Sequence, residues 1–154
     1  MAIQYRIPVS FVIEQRETEG ILVLAPKGRF VAGEPVSQFR ETLDAALAAG
    51  RAYVVLDFRG VDYIDSSALG CLVTAHTRFA KTGGQLPMYG LNERGLELMV
   101  VTKLSTVFRI FDNEVDAVDS CFPGRTAKSF DVLSFVRKAR EARASRAAGK
   151  DNPA

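Results

Sequence analysis

Histidine occurs once in this chain of 154 residues, as His76, and cysteine twice, as Cys71 and Cys121. Two cysteines are too few for a disulfide scaffold and stand at no metal-ligand spacing. Free thiols in a cytoplasmic protein are the economical expectation. A single histidine leaves no second imidazole to activate a serine. No apolar run approaches the roughly 20 residues that cross a bilayer, and the N-terminus carries no charged-then-apolar signal pattern, so no membrane span is expected. A phosphate loop of the Gly-x-x-x-x-Gly-Lys type is missing, and Gly83-Gly84 reads as a helix stop instead. No internal repeat is visible. Neither a cofactor nor a metal is called for.

What is present fits one globular domain. The length suffices to bury a sizeable core. Charge is unevenly spread: residues 123–154 hold eight Lys/Arg against three Asp/Glu, and residues 1–122 hold twelve against fifteen. An acidic body argues against a direct nucleic-acid surface, and the basic tail needs its own account.

The core is organised around residues 53–70. The unalternated apolar run Tyr53 to Leu56 suggests a strand buried on both faces, as in a parallel sheet. Arg59-Gly60 makes a turn, Tyr63-Ile64 drops back into the core, and Asp65-Ser66-Ser67 opens a helix. Ahead of it, Val9 to Gln15 and Ile21 to Ala25 read as an antiparallel hairpin about a polar turn at Arg16 to Gly20, with Pro26 ending or edging the second strand. Gly33-Glu34-Pro35 starts a first helix carrying Val36, Phe39, Leu43 and Leu47 on one face, stopped by Gly50. The second helix is predicted from Ser66 to Lys81, with Leu69, Leu72, Val73, His76, Phe79 and Ala80 as its stripe. Leu86 to Tyr89 is a further strand in which Pro87 implies an edge or a bulge. Asn92 caps a third helix, Leu104 to Phe111 holds one short strand, and Asp112-Asn113-Glu114 opens a fourth helix with Val115 and Val118 inward. Pro123-Gly124 is the candidate boundary between a domain over 1–122 and a basic, helical extension over 123–154 with a frayed end. The apolar clump from Phe130 to Val136 suggests that the extension docks, on its own body or on a second protomer. The alternation of strands and helices behind a hairpin gives an α/β fold with a mixed sheet.

Ser66 has two readings, a helix cap and a phosphoacceptor. Phosphate would place roughly 1.5 to 2 negative charges at a helix N-terminus, where the dipole favours them. Asp65 caps the same helix or helps to position an incoming kinase. Asp57, Asp62 and Asp65 lie close in sequence and leave a site of hard oxygen ligands as a lesser reading. A Ser66–His76 catalytic pair fails on geometry, since ten residues of one helix separate them by about 15 Å. Cys71 reads as a small packing residue.

The pattern Leu-Asp-x-x-x-Val-x-x-Ile-Asp-Ser-Ser-x-Leu-Gly over residues 56–70 resembles the STAS domain, specifically the bacterial anti-sigma factor antagonists. Gly28-Arg29-Phe30 and Val107-Phe108-Arg109-Ile110-Phe111 extend the resemblance over residues 9–122. One departure is Ala68 where the family usually has Gly. The resemblance implies a small mixed sheet with helices mainly on one side. It implies a binding module without catalysis of its own, which sequesters an anti-sigma factor that is also a serine kinase and so frees a sigma factor. That kinase would phosphorylate Ser66, with Ser67 as the fallback, and a serine phosphatase would reset it. Asp62, Asp65, Ser66, Ser67 and Ala68 would form the partner-binding surface. A homodimer is compatible with this reading. The alternative is a STAS subunit of a transport or stress-signalling assembly with no kinase switch.

Overall fold

The computed structural model describes residues 11–150. Val9, Ser10 and the chain beyond residue 150 lie outside the described residues, and with them part of the anticipated first strand and of the frayed end. β1 (Phe11–Thr18) and β2 (Ile21–Phe30) form the antiparallel hairpin about Glu19-Gly20. The chain continues through α1 (Glu34–Ala48), β3 (Val54–Asp57), β4 (Gly60–Ile64), α2 (Ser66–Lys81), β5 (Met88–Tyr89), α3 (Glu93–Val101), β6 (Ile110–Phe111), α4 (Glu114–Asp119) and α5 (Val132–Lys150). The sheet order is β1-β2-β3-β5-β6, with β4 also pairing β2. Only the β1–β2 pairing is antiparallel among these.

Side chains alternate across the pleat and so divide the core in two. Leu24, Leu56, Met88 and Ile110 face one way and pack with buried residues of α1, α2, α3 and α5. Val23, Val55, Tyr89 and Phe111 face the other way and meet Ala117, Val118 and Cys121 of α4 and its end. The helices therefore lie mainly on one side, with α4 alone opposite them among the described residues.

Several local expectations change. β1 continues to Thr18, so Arg16 is a strand residue. β2 runs through Pro26 to Phe30 and is flanked on both sides. Pro26 fits there because β2 exchanges parallel neighbours at that point: Leu24 pairs with Leu56 of β3, and Lys27 with Gly60 of β4. The stretch 60–64 is a strand, and the register slips beside Gly28, whose φ is 109°. Gly28 pairs with Val61 and Arg29 with Tyr63, which leaves Asp62 as the extra residue of a bulge. The bulge turns Tyr63 outward, 36% exposed, instead of into the core. Pro87 precedes β5, which is internal, and contributes its carbonyl to the Leu56 N–H at 2.8 Å. Val118 is buried, but Val115 is 69% exposed.

The extension docks on its own body. Val132 and Val136 are buried in the main core beside α3 residues, and Arg140 and Arg143 pair with Glu93 and Glu97 of α3. Asp131 caps α5 through the Ser134 N–H at 3.0 Å. Leu133 and Phe135 stay exposed. Removal of residues 125–154 is expected to leave a cooperatively folding domain that is less stable by about 3 kcal/mol, the worth of two buried valines. Loss of a cooperative transition in urea would instead make the extension indispensable to the core.

Candidate functional site

β4 delivers the chain to the N-terminus of α2, where the Asp-Ser-Ser triplet sits. Asp65 is the N-cap, in an extended conformation, and its Oδ1 accepts the Ala68 N–H at 2.8 Å. Its Oδ2 accepts the Ala32 N–H at 2.9 Å. The Asp65 N–H donates to the Phe30 carbonyl at 3.2 Å. One carboxylate therefore closes the helix and ties it to the loop between β2 and α1. The N–H groups of Ala32 and Ala68, with that of Ser67, hold the Asp65 carboxyl below the usual carboxylate range.

Capping by Asp65 releases Ser66 from that duty. Ser66 is the first residue of α2, and both it and Ser67 are exposed. Neither hydroxyl hydrogen-bonds to another side chain or backbone group among the described residues. Asp62 is exposed on its bulge, and its carbonyl accepts from Asn92 Nδ2 at 3.3 Å, linking the site to the cap of α3. The Arg29 guanidinium lies 4.8 Å from the centre of the Tyr63 ring on the neighbouring strand. Of the residues expected at this surface, Ala68 offers none. Its methyl is fully buried in the core, because the third residue of the helix faces inward, and only its N–H serves the site.

The three neighbouring carboxylates do not converge. Asp62 faces outward, Asp65 caps α2, and Asp57 is buried at the end of β3. Asp57 accepts from Arg59 Nε at 3.0 Å, Arg59 Nη2 at 2.8 Å and Arg16 Nη2 at 3.1 Å. The same Arg16 pairs with Glu114 and donates to the Tyr89 hydroxyl at 2.9 Å. Burial pushes the Asp57 carboxyl up, but the Arg59 side chain and N–H, Tyr89 and Arg16 outweigh it and hold it at about 2. Burial, with Asp57 and Glu114 nearby, pushes Tyr89 up to about 12. This polar hub fastens β1, β3, β5 and α4 together. No group of three or more His, Cys, Asp or Glu among the described residues is placed to hold a metal ion.

His76 lies ten residues along α2 from Ser66, a rise of about 15 Å, and packs edge-on against Phe108 with ring centres 5.6 Å apart. It cannot reach the serine. Cys71 and Cys121 are free and buried, and burial raises both thiols. No helix among the described residues is long and apolar enough to cross a membrane.

Sequence reasoning did not find Ala32, Arg29 or Asn92 at the site. Ala32 and Arg29 arrive through β2, more than 30 residues upstream of the triplet, and act by a backbone N–H and a ring contact that leave no motif.

A family model described as STAS domain matches residues 12–117. The chain is 28% identical over 106 residues to the anti-sigma-B factor antagonist of Listeria monocytogenes, covering 66% of this chain and 88% of that one. Among solved structures, an anti-sigma factor antagonist from Mycobacterium paratuberculosis superposes with a TM-score of 0.64 at 17% identity, covering 76% of this chain and 98% of the other. An anti-sigma-factor antagonist (STAS) domain protein from Planctomyces limnophilus gives 0.61 at 20% identity, covering 71% and 97%. At these identities the structures bear on the fold.

Proposed function

Because this chain belongs to the STAS domain family, we propose that it is an anti-sigma factor antagonist switched by phosphorylation of Ser66. The names of its relatives support the first half of that reading. The observation that carries the second half is the Ser66 hydroxyl, exposed at the first position of α2 and freed from capping by Asp65. A kinase reaches such a hydroxyl without unfolding anything.

Unmodified protein binds an anti-sigma factor that is also a serine kinase, and sequestering it releases the sigma factor. The contact surface comprises Asp62, Asp65, Ser66 and Ser67. The kinase, using ATP and magnesium, transfers phosphate to Ser66, and a serine phosphatase removes it. The helix dipole tolerates the new charge, so the backbone stays in place. Burying a dianion against a surface shaped for a neutral hydroxyl weakens the complex. The protein performs no catalysis itself: His76, its one histidine, lies about 15 Å along α2 from Ser66, and the adjacent Asp65 carboxylate is engaged by the Ala32 and Ala68 N–H groups.

Phosphosite mapping by mass spectrometry after incubation with the anti-sigma factor kinase and ATP-magnesium tests this assignment. Phosphate is expected on Ser66, absent in Ser66→Ala and retained in Ser67→Ala. Phosphate on Ser67 alone, or none on either residue, would overturn it.

A further inference from the structure

The neighbouring strands β5 and β6 send their connections to opposite faces of the sheet. After β5, Gly90-Leu91 leads into α3, whose Leu96 and Met99 lie in the main core. After β6, Asp112-Asn113 leads into α4, whose Ala117 and Val118 lie on the other side. Loops that diverge in this way leave a crevice outside the carboxyl ends of the strands, the place where open α/β sheets take ligands. Such a crevice is present. Leu91, Leu96, Phe111, Phe130 and Phe135 surround an apolar hole of about 100 Å³. It adjoins a groove of about 490 Å³, and Asp112, Phe130 and Phe135 line both.

The outer wall comes from the extension, beyond the residues 12–117 that the family model matches. Val132 and Val136 dock α5 in the main core, whereas Phe135 stands outside that cluster and is 42% exposed. Its ring is tilted against that of Phe130, with centres 5.8 Å apart. The docking of α5 does not account for Phe135, but its place over an apolar hole gives a ligand aromatic surface to bury. The polar rim carries both signs. Asp116 is engaged by the Lys128 N–H at 3.1 Å and Asn113 Nδ2 at 2.9 Å. Asp131 is engaged by the Ser134 N–H at 3.0 Å and its hydroxyl at 2.8 Å. The Asp112 carboxylate makes no hydrogen bond or salt bridge among the described residues, and neither does the ammonium group of Lys128 or Lys138.

We propose that this crevice binds an α-amino acid with a short branched aliphatic side chain. The side chain fills the hole: a dry cavity of about 150 Å³ takes benzene, so the smaller hole takes an alkyl group of about four carbons. The ammonium pairs with Asp112 at the mouth, and the carboxylate lies toward Lys128 and Lys138 in the groove. A simple anion meets the carboxylates of Asp112, Asp116 and Asp131, and a simple cation meets two lysines, whereas a zwitterion matches both signs. The site shares no residue with the Ser66 surface and does not rest on the antagonist reading.

The probe is leucine, titrated into the full chain and followed by amide NMR shifts. Beside it stand phenylalanine, isocaproate, which lacks the ammonium, and isopentylamine, which lacks the carboxylate. Leucine is expected to shift Leu91, Asp112, Phe130 and Phe135 with a dissociation constant of about 1 mM, the range open to a ligand of so few atoms. Each of the other three compounds should bind about tenfold or more weakly. Asp112→Asn should lower the affinity for leucine about tenfold and leave that for isocaproate unchanged. Phe135→Ala should also lower leucine affinity about tenfold, at a melting temperature close to that of wild type because the ring is exposed. Leucine in excess should raise the melting temperature of wild type more than that of Phe135→Ala. No shift at about 50 mM leucine, equal affinity for the four compounds, shifts confined to other surfaces, or wild-type affinity in Phe135→Ala would overturn the proposal.

Discussion

Ser66→Asp is expected to fold as wild type and to bind the anti-sigma factor about tenfold or more weakly. The first half follows from position. Ser66 is exposed at the first position of α2, and a carboxylate there interacts favourably with the helix dipole, by roughly 0.3–1 kcal/mol. The second half follows from desolvation. A charge that water solvates in the free protein loses that solvation in the complex, and a surface that accepts a hydroxyl has no cation waiting for it. Ser66→Ala is the control. It adds no charge, and because Asp65 rather than Ser66 caps the helix, it should change stability by less than about 0.5 kcal/mol while keeping partner affinity. Calorimetric titration and urea unfolding of both variants check this. Tight binding by Ser66→Asp would remove charge from the explanation, and a large stability loss in Ser66→Ala would show that its hydroxyl is structural.

Asp65→Ala should be far more damaging to the domain than either serine change. The variant loses the acceptor for Ala68, an N-cap typically worth about 1 kcal/mol, and also the acceptor for Ala32, a further hydrogen bond to a charged group. Together these predict a loss of about 2 kcal/mol, read from the urea midpoint at constant slope. The loop after β2 would be released from α2 at the same time, so partner binding should weaken even where the protein remains folded. Asp65→Asn keeps one oxygen acceptor and should recover about half of the loss. A loss below about 0.5 kcal/mol in Asp65→Ala would show that the two backbone contacts carry little of the local stability.

The different legibility of these residues has a physical cause. The bounds of α2 were readable because an N-cap residue type precedes its stripe and Gly83-Gly84 follow it, and both signals are local. The Asn92 cap of α3 was readable on the same terms. β4 was not, because the bulge at Asp62 breaks the two-residue alternation by which a strand is recognised. β2 was cut short at Pro26 because a missing N–H counts against a strand interior. The exchange of neighbours from β3 to β4 that accommodates it is a property of the assembled sheet. Asp57 looked like part of an acidic loop since its partners Arg16, Tyr89 and Glu114 are distant in sequence. At the site, the triplet and its exposure were legible from position. The division of labour within it, with Asp65 capping and Ser66 free, was not. Both residue types cap helices, and only the hydrogen bonds to Ala68 and Ala32 decide between them.

The most direct test of the switch is the affinity of the anti-sigma factor for this protein in three forms: unmodified, phosphorylated stoichiometrically with the site mapped, and phosphorylated then treated with a serine phosphatase. A single phosphate on Ser66 should lower the affinity about tenfold or more, with circular dichroism unchanged, and the phosphatase should restore it. Equal affinity of the unmodified and Ser66-phosphorylated forms would contradict the account.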